Sequence, residues 1–176
     1  MTHLPRLSKA LAELLGQQRV AALGTTDNDG APFVSMVPFA IEHESACLVI
    51  HVSGLAAHTA NLQQREKVSM LIHQSEAPHA QVHALPRVTL NGLASVPERG
   101  SPRWSACRRA YLGRFPEAVQ MTELGDFRFV AIAVTGARQV AGFGAARTLD
   151  EEEVRALLAI PLQSPGAPAA GPDTHR

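Results

Sequence analysis

Residues 46–72 read ACLVIHVSGLAAHTANLQQREKVSMLI. A continuous apolar run, ACLVIHV, passes through a small-residue turn into a helical stretch over 54–66, and an alternating run, KVSMLIHQ, follows. Strand, helix, strand is the order of a parallel crossover, but no G-x-G-x-x-G follows any strand of this chain. The neighbouring connections are instead the tight turns DNDG at 27–30 and HES at 43–45. Turns that short join antiparallel neighbours, because a parallel return needs a dozen or more residues. The stretch is therefore a helix set into an antiparallel meander.

Working outward, four more strands are expected: RVAALGT (19–25), APFVSMVPFAIE (31–42), RVTLNGLASV (87–96) and DFRFVAIAVTGARQVAGFG (126–144). The last should turn near Thr135–Gly136. Pro38 lacks a ladder donor and should sit at an edge or bulge, and Gly92 should mark a bulge or a close backbone approach. Leu7, Leu11, Leu14 and Leu15 define an amphipathic helix over 5–16. SPRWSACRRAYLGRF opens a helix with Ser101 as N-cap and Pro102 at the first position, and LDEEEVRALLAI places its glutamates at the positive end of another. The expected fold is α+β: a six-stranded antiparallel barrel with peripheral helices, one domain over 1–160 and a disordered tail over 161–176.

Composition narrows the function. The 16 basic and 16 acidic residues cancel, which argues against a nucleic-acid partner. No apolar run approaches the roughly eighteen residues of a membrane span, and the N-terminal stretch has no signal-type apolar segment. Cys47 and Cys107 belong to no CxxC pair, so neither a disulfide framework nor a thiolate metal site is expected. A cytoplasmic protein of about one domain fits these features.

The turn HVSGLAAHTANL carries the most chemistry. Ser53 is placed to cap the following helix. Glycine and alanine in its first turn leave amides open to an anion such as phosphate, and His58 and Asn61 share a face. The plain alternative is a capped helix packed on a barrel. His73, His79 and His83 lack a carboxylate partner at ligand spacing, and no metal is expected there. Trp104, Tyr111 and Phe115 have the spacing of a core stripe or, alternatively, of a roof over a flavin. Cys107 reads as a buried small hydrophobe.

Five segments in the same order, GAPFVSMVPFAI, HVSGLAAHTANLQQREKVSMLI, LPRVTLNGLA, DFRFVAIAV and VAGFG, resemble the FMN-binding split-barrel proteins related to pyridoxamine 5′-phosphate oxidase. The resemblance is nearest to the branch with haem-utilisation proteins of HugZ type, and it covers roughly residues 10–147. It implies a split-barrel homodimer with FMN between the subunits. Ser35, Met36 and Val37 would run along the flavin ring, with His51 and Val52 near the ribityl chain and phosphate. Ala57 and His58 stand where the oxidases present an arginine–lysine pair. Phosphate would then rest on Ser53, His58, Asn61, helix amides and Arg87, with Arg19 as a weaker candidate. The resemblance implies an FMN-dependent oxidoreductase on an unknown small molecule, with no nameable catalytic residue. Pyridoxamine phosphate itself is disfavoured, since Arg147 stands alone where that enzyme has an arginine-rich segment. Two rivals share the barrel. One is haem binding and degradation, although those relatives commonly carry an added helical domain; His175 is then a candidate ligand. The other is a non-catalytic dimer that has lost its ligand.

Overall fold

The computed structural model describes residues 5–161. The tail expected to be disordered, and His175 within it, lie almost wholly outside them. The elements are α1 (Arg6–Gln17), β1 (Val20–Thr26), β2 (Pro32–Glu42), β3 (Cys47–Ser53), α2 (Ala57–Gln64), β4 (Lys67–His73), β5 (Arg87–Ser95), α3 (Pro102–Arg114), β6 (Phe127–Val140), β7 (Ala146–Leu149) and α4 (Glu151–Leu158). Strands run in the order β3-β2-β1-β4-β5-β6-β7, all pairs antiparallel, and β3 pairs with β6 to close a six-stranded barrel. The seventh strand lies outside it.

That seventh strand, ARTL, is too short and too polar to announce itself in the sequence. It borders β6 over 137–140, while β3 borders β6 over 127–133. The turn expected near Thr135 does not form. β6 runs straight through, and its register against β5 slips there: Gly92 pairs with Val134 but Asn91 with Gly136. Thr135 is the extra residue of a bulge, and its hydroxyl bonds the Asn91 carbonyl at 3.2 Å. Gly92 is required at this point. A Cβ there would stand 2.7 Å from both the Ala133 carbonyl oxygen and the Ile132 Cγ2.

Period-two alternation on the strands builds two cores rather than one. Leu23, Val37, Phe39, Leu48, Ile50, Met70, Leu90 and Ile132 fill the barrel, which α1 and α4 cover through Leu11, Leu15, Val154 and Leu158. The opposite faces of β2, β3 and β6 present Ala40, Val49 and Phe129 to Cys107 and Tyr111 of α3 and to Phe115 just beyond it. The aromatic stripe is thus a core stripe, and Trp104 lies edge-on to Phe129 at 5.7 Å. Burial pushes the Cys47 thiol up to about 12 and raises that of Cys107, so both stay protonated and apolar.

The caps follow the sequence at two helices. Ser101 accepts the Trp104 amide at 3.1 Å, and Asp150 and Glu153 form a reciprocal capping box. The C-terminal end of α1 is closed from a distance: the Arg114 guanidinium donates to the carbonyls of Leu15, Gly16 and Gln18.

Pro38 decides the shape of the future site. β2 lies between β1 and β3, so it is not an outer strand. It pairs with β1 over 32–38, but with β3 only over 39–42. The Phe39 amide points to the Arg19 carbonyl on the β1 side. Position 38 therefore points its nitrogen toward β3, and proline has no hydrogen to offer. The β2–β3 ladder stops there, leaving one edge of Pro32–Val37 open.

Candidate functional site

The open edge is bridged by α2. Ser35 Oγ lies 2.9 Å from His58 Nδ1, and Asn61 Nδ2 donates to the buried Thr25 Oγ1 at 2.9 Å. Two residues three apart on one helix face thus dock on two different strands. Burial lowers the pKa of His58 below its ordinary value of 6.5, so the ring is neutral at pH 7. With Nδ1 engaged by Ser35, Nε2 is left for another partner.

The turn before α2 differs from expectation. Ser53 does not cap the helix, which begins at Ala57 with Ala56 as N-cap, whose methyl side chain accepts no hydrogen bond. Ser53 still belongs to β3, where it faces Phe127. Its hydroxyl accepts the Leu55 amide at 3.2 Å and meets Asp126 Oδ2 at 3.4 Å. Thr59 Oγ1 donates to the Ser53 carbonyl at 2.6 Å and ties helix to strand. Gly54 is indeed closely approached, but by the chain itself: a Cβ would lie 3.0 Å from the Asp126 carbonyl oxygen. No side chain caps the first-turn amides of α2.

Ser35, His58 and Asn61 are thus gathered about α2, whereas the Ser53 hydroxyl is engaged by Leu55 and Asp126 and Ala57 is exposed. The side chains of Val37 and Val52 belong to the barrel core and leave only backbone to a ligand. His51 points to the outer core, its ring 5.2 Å from Phe127 and 4.5 Å from Phe129. Arg87 is not brought together with the others within one chain. It pairs with His73 across β4 and β5, and its guanidinium bonds the carbonyls of Leu85 and His83 rather than any residue of the Ser35–His58 group. Arg19 pairs with Glu117 at 3.0 Å and lies over Phe115. The histidines 73, 79 and 83 form no metal cluster, and no group of three or more metal-ligating side chains occurs among the described residues.

Sequence reasoning missed Thr25, Thr59 and Asp126, all polar residues that hold the site together. Thr25 alternates with Ala21 and Leu23 on the inward face of β1, and a threonine in that phase was the available signal. Met36, expected beside a ring, points outward and is 67% exposed, as is Val34. Met36 stands in register with Ala22, and Ala22 with Leu71. An apolar row therefore crosses three strands on a face that no helix among the described residues covers. Among the described residues no helix is long and apolar enough to cross a membrane.

Comparison with known proteins agrees with this architecture. The family model described as pyridoxamine 5′-phosphate oxidase matches residues 7–141, and the chain belongs to that family. Within it, the chain is similar to the haem oxygenase HutZ of Vibrio cholerae: 29% identity over 150 residues, 85% of this chain and 84% of that one. It is 31% identical over 138 residues to the chloroplastic non-canonical haem oxygenase HOZ of Arabidopsis thaliana, covering 76% of this chain but 40% of that protein. Among solved structures, a haem-binding protein from Mycobacterium smegmatis superposes with a TM-score of 0.78 at 26% identity, over 88% of this chain and 62% of the other. HutZ superposes with a TM-score of 0.66 at 29% identity, over 73% of this chain and 89% of its own. The relatives thus stand on the haem-utilisation side of the family, as the ordered segments implied.

Proposed function

We propose that this protein is a homodimeric haem-binding protein that degrades haem, with the ligand held along the open edge of β2 beside α2. One observation carries the reading: similarity to a haem oxygenase extends over most of both chains. The donor chemistry of the site agrees with it. A neutral imidazole whose Nδ1 is fixed by a hydroxyl presents Nε2 as an iron-side ligand or hydrogen-bond partner. Exposed Phe33, Val34, Met36 and Leu55 offer apolar surface to a flat macrocycle. Haem, when bound, supplies the redox-active iron; its oxidative opening consumes dioxygen and electrons from an external donor. The chain's own residues bind the ring, orient it through His58 and shield it from water. A second copy covering the Met36–Ala22–Leu71 row would close the site from the other side.

FMN is the second reading, favoured by the family match and by the uncapped amides of α2. Against it, the phosphate position offers Ala57 and a neutral His58 in place of a charged pair. Absorption spectra separate the two. Haemin titrated into the purified protein should give a saturable Soret band that His58→Ala shifts or weakens. His175→Ala, altered in the same experiment, reports whether the C-terminal segment supplies a ligand. A protein that yields flavin bands and ignores haemin would reverse the order of the readings.

A further inference from the structure

The helix α2 meets β2 through one imidazole, and the proton on that ring decides what the site can hold. His58 Nδ1 and Ser35 Oγ lie 2.9 Å apart. In one arrangement the hydroxyl donates to a bare Nδ1, which leaves the ring hydrogen on Nε2. In the other a protonated Nδ1 donates to the hydroxyl, and Nε2 keeps a free lone pair. The first offers a ligand an N–H; the second offers a nitrogen able to bind iron.

The surroundings select the first. Nδ1 is the one hydrogen-bond partner that the Ser35 side chain meets among the described residues. Were Nδ1 protonated, the half-buried hydroxyl would have no acceptor of the chain for its own hydrogen. A neutral histidine free in water already carries its proton mainly on Nε2. The contact is also held in place from both sides. Thr59 ties α2 to the Ser53 carbonyl at 2.6 Å, and Asn61 ties it to Thr25 at 2.9 Å. Burial keeps the ring neutral, and its place in the first turn of a helix opposes an imidazolium too. Nε2 is open to a ligand: the buried side-chain atoms without a partner among the described residues are His51 Nδ1 and Arg108 Nε.

We propose that His58 is a hydrogen-bond donor to the bound molecule and not a ligand of its iron. Nε2–H holds an anionic oxygen, which on the haem reading, where this assignment finds its ligand, is a propionate carboxylate. A neutral imidazole engages an oxygen in this way without carrying charge itself. Loss of the contact is worth about tenfold in affinity.

Long-range proton–nitrogen NMR correlation of the ligand-free, isotope-labelled protein at pH 7 reads the tautomer, with His58 assigned from the signal lost in His58→Gln. Nδ1 should resonate as an unprotonated nitrogen and Nε2 as a protonated one. Ser35→Ala should raise the share of the Nδ1–H form, and Ser35→Thr should restore the wild-type pattern. Haemin and FMN are titrated in parallel into wild type, His58→Ala and His58→Gln, the last of which keeps an N–H donor but has no imidazole lone pair. The ligand that brings the oxyanion should lose about tenfold in affinity in His58→Ala and recover most of it in His58→Gln. With haemin, the Soret band should weaken in His58→Ala without moving. Loss and recovery with FMN alone would transfer the oxyanion to its phosphate and end the haem reading, while the donor assignment stands. A protonated Nδ1 in wild type, a tautomer indifferent to Ser35→Ala, or a His58→Gln variant no better than His58→Ala toward both ligands would each overturn the proposal.

Discussion

Burial, and secondarily the charge of Arg99, lower the pKa of His51 from its ordinary 6.5 to about 4. Among the described residues its Nδ1 has no hydrogen-bond partner inside the aromatic box of Tyr111, Phe127 and Phe129. The sign follows from proton counting. Between pH 6.5 and 4 the unfolded chain binds the proton and the folded one does not, so stability is full above 6.5 and falls toward 4. The loss amounts to about 3 kcal/mol. In urea melts at pH 7 and pH 4, His51→Leu should show a pH-dependent loss smaller than wild type by about that amount; equal losses would place the acid sensitivity elsewhere. At the split, Asn61→Ala should lower stability by about 1 kcal/mol even without ligand, because it removes the donor to the buried Thr25 hydroxyl and leaves that oxygen only its own long bond to the Phe33 carbonyl at 3.4 Å. His58→Ala should cost no more than that in stability while altering the haem spectrum. The sequence reading treated both side chains as ligand donors. Asn61's engagement with Thr25 was hidden from it, because that contact joins positions thirty-six apart.

Elements with local signals were legible. Ser101–Pro102 opened α3, the leucine spacing gave α1, and the acidic run before Val154 gave α4. What depends on partners was not. Pro38 is expected at an edge or bulge, but that it ends the β2–β3 ladder on a strand flanked by two others follows only from knowing both neighbours. The helix after Ser53 begins later than the sequence suggested, since Ser53 is claimed by the ladder with β6. Gly92 was read correctly because a glycine amid alternating residues has few other uses, while β7 had no apolar pattern to betray it. Gly92→Ala should destabilise the protein by about 1–3 kcal/mol, as the added methyl meets backbone as well as a side chain. Thermal melts check this. Gly113→Ala is the control, since nothing lies within 4 Å of the added Cβ and alanine favours a helix interior.

At the scale of the whole molecule, family, barrel and branch were all readable from five ordered segments, whereas the choice between FMN and haem was not. The site residues that one chain assembles are compatible with either, and Arg87 is engaged by the carbonyls of Leu85 and His83 instead. The uncovered row Met36–Ala22–Leu71 ties the ligand question to assembly. Met36→Lys should weaken self-association by placing charge in the proposed interface, and haem affinity should fall with it. Both claims meet in sedimentation velocity of the haemin-loaded protein, recorded at the Soret band. One chain has a mass of 18.8 kDa, and the haem absorbance should travel with a species of twice that mass, in a stoichiometric amount. Soret absorbance that stays with free haemin, or that moves with the single chain, would contradict the account.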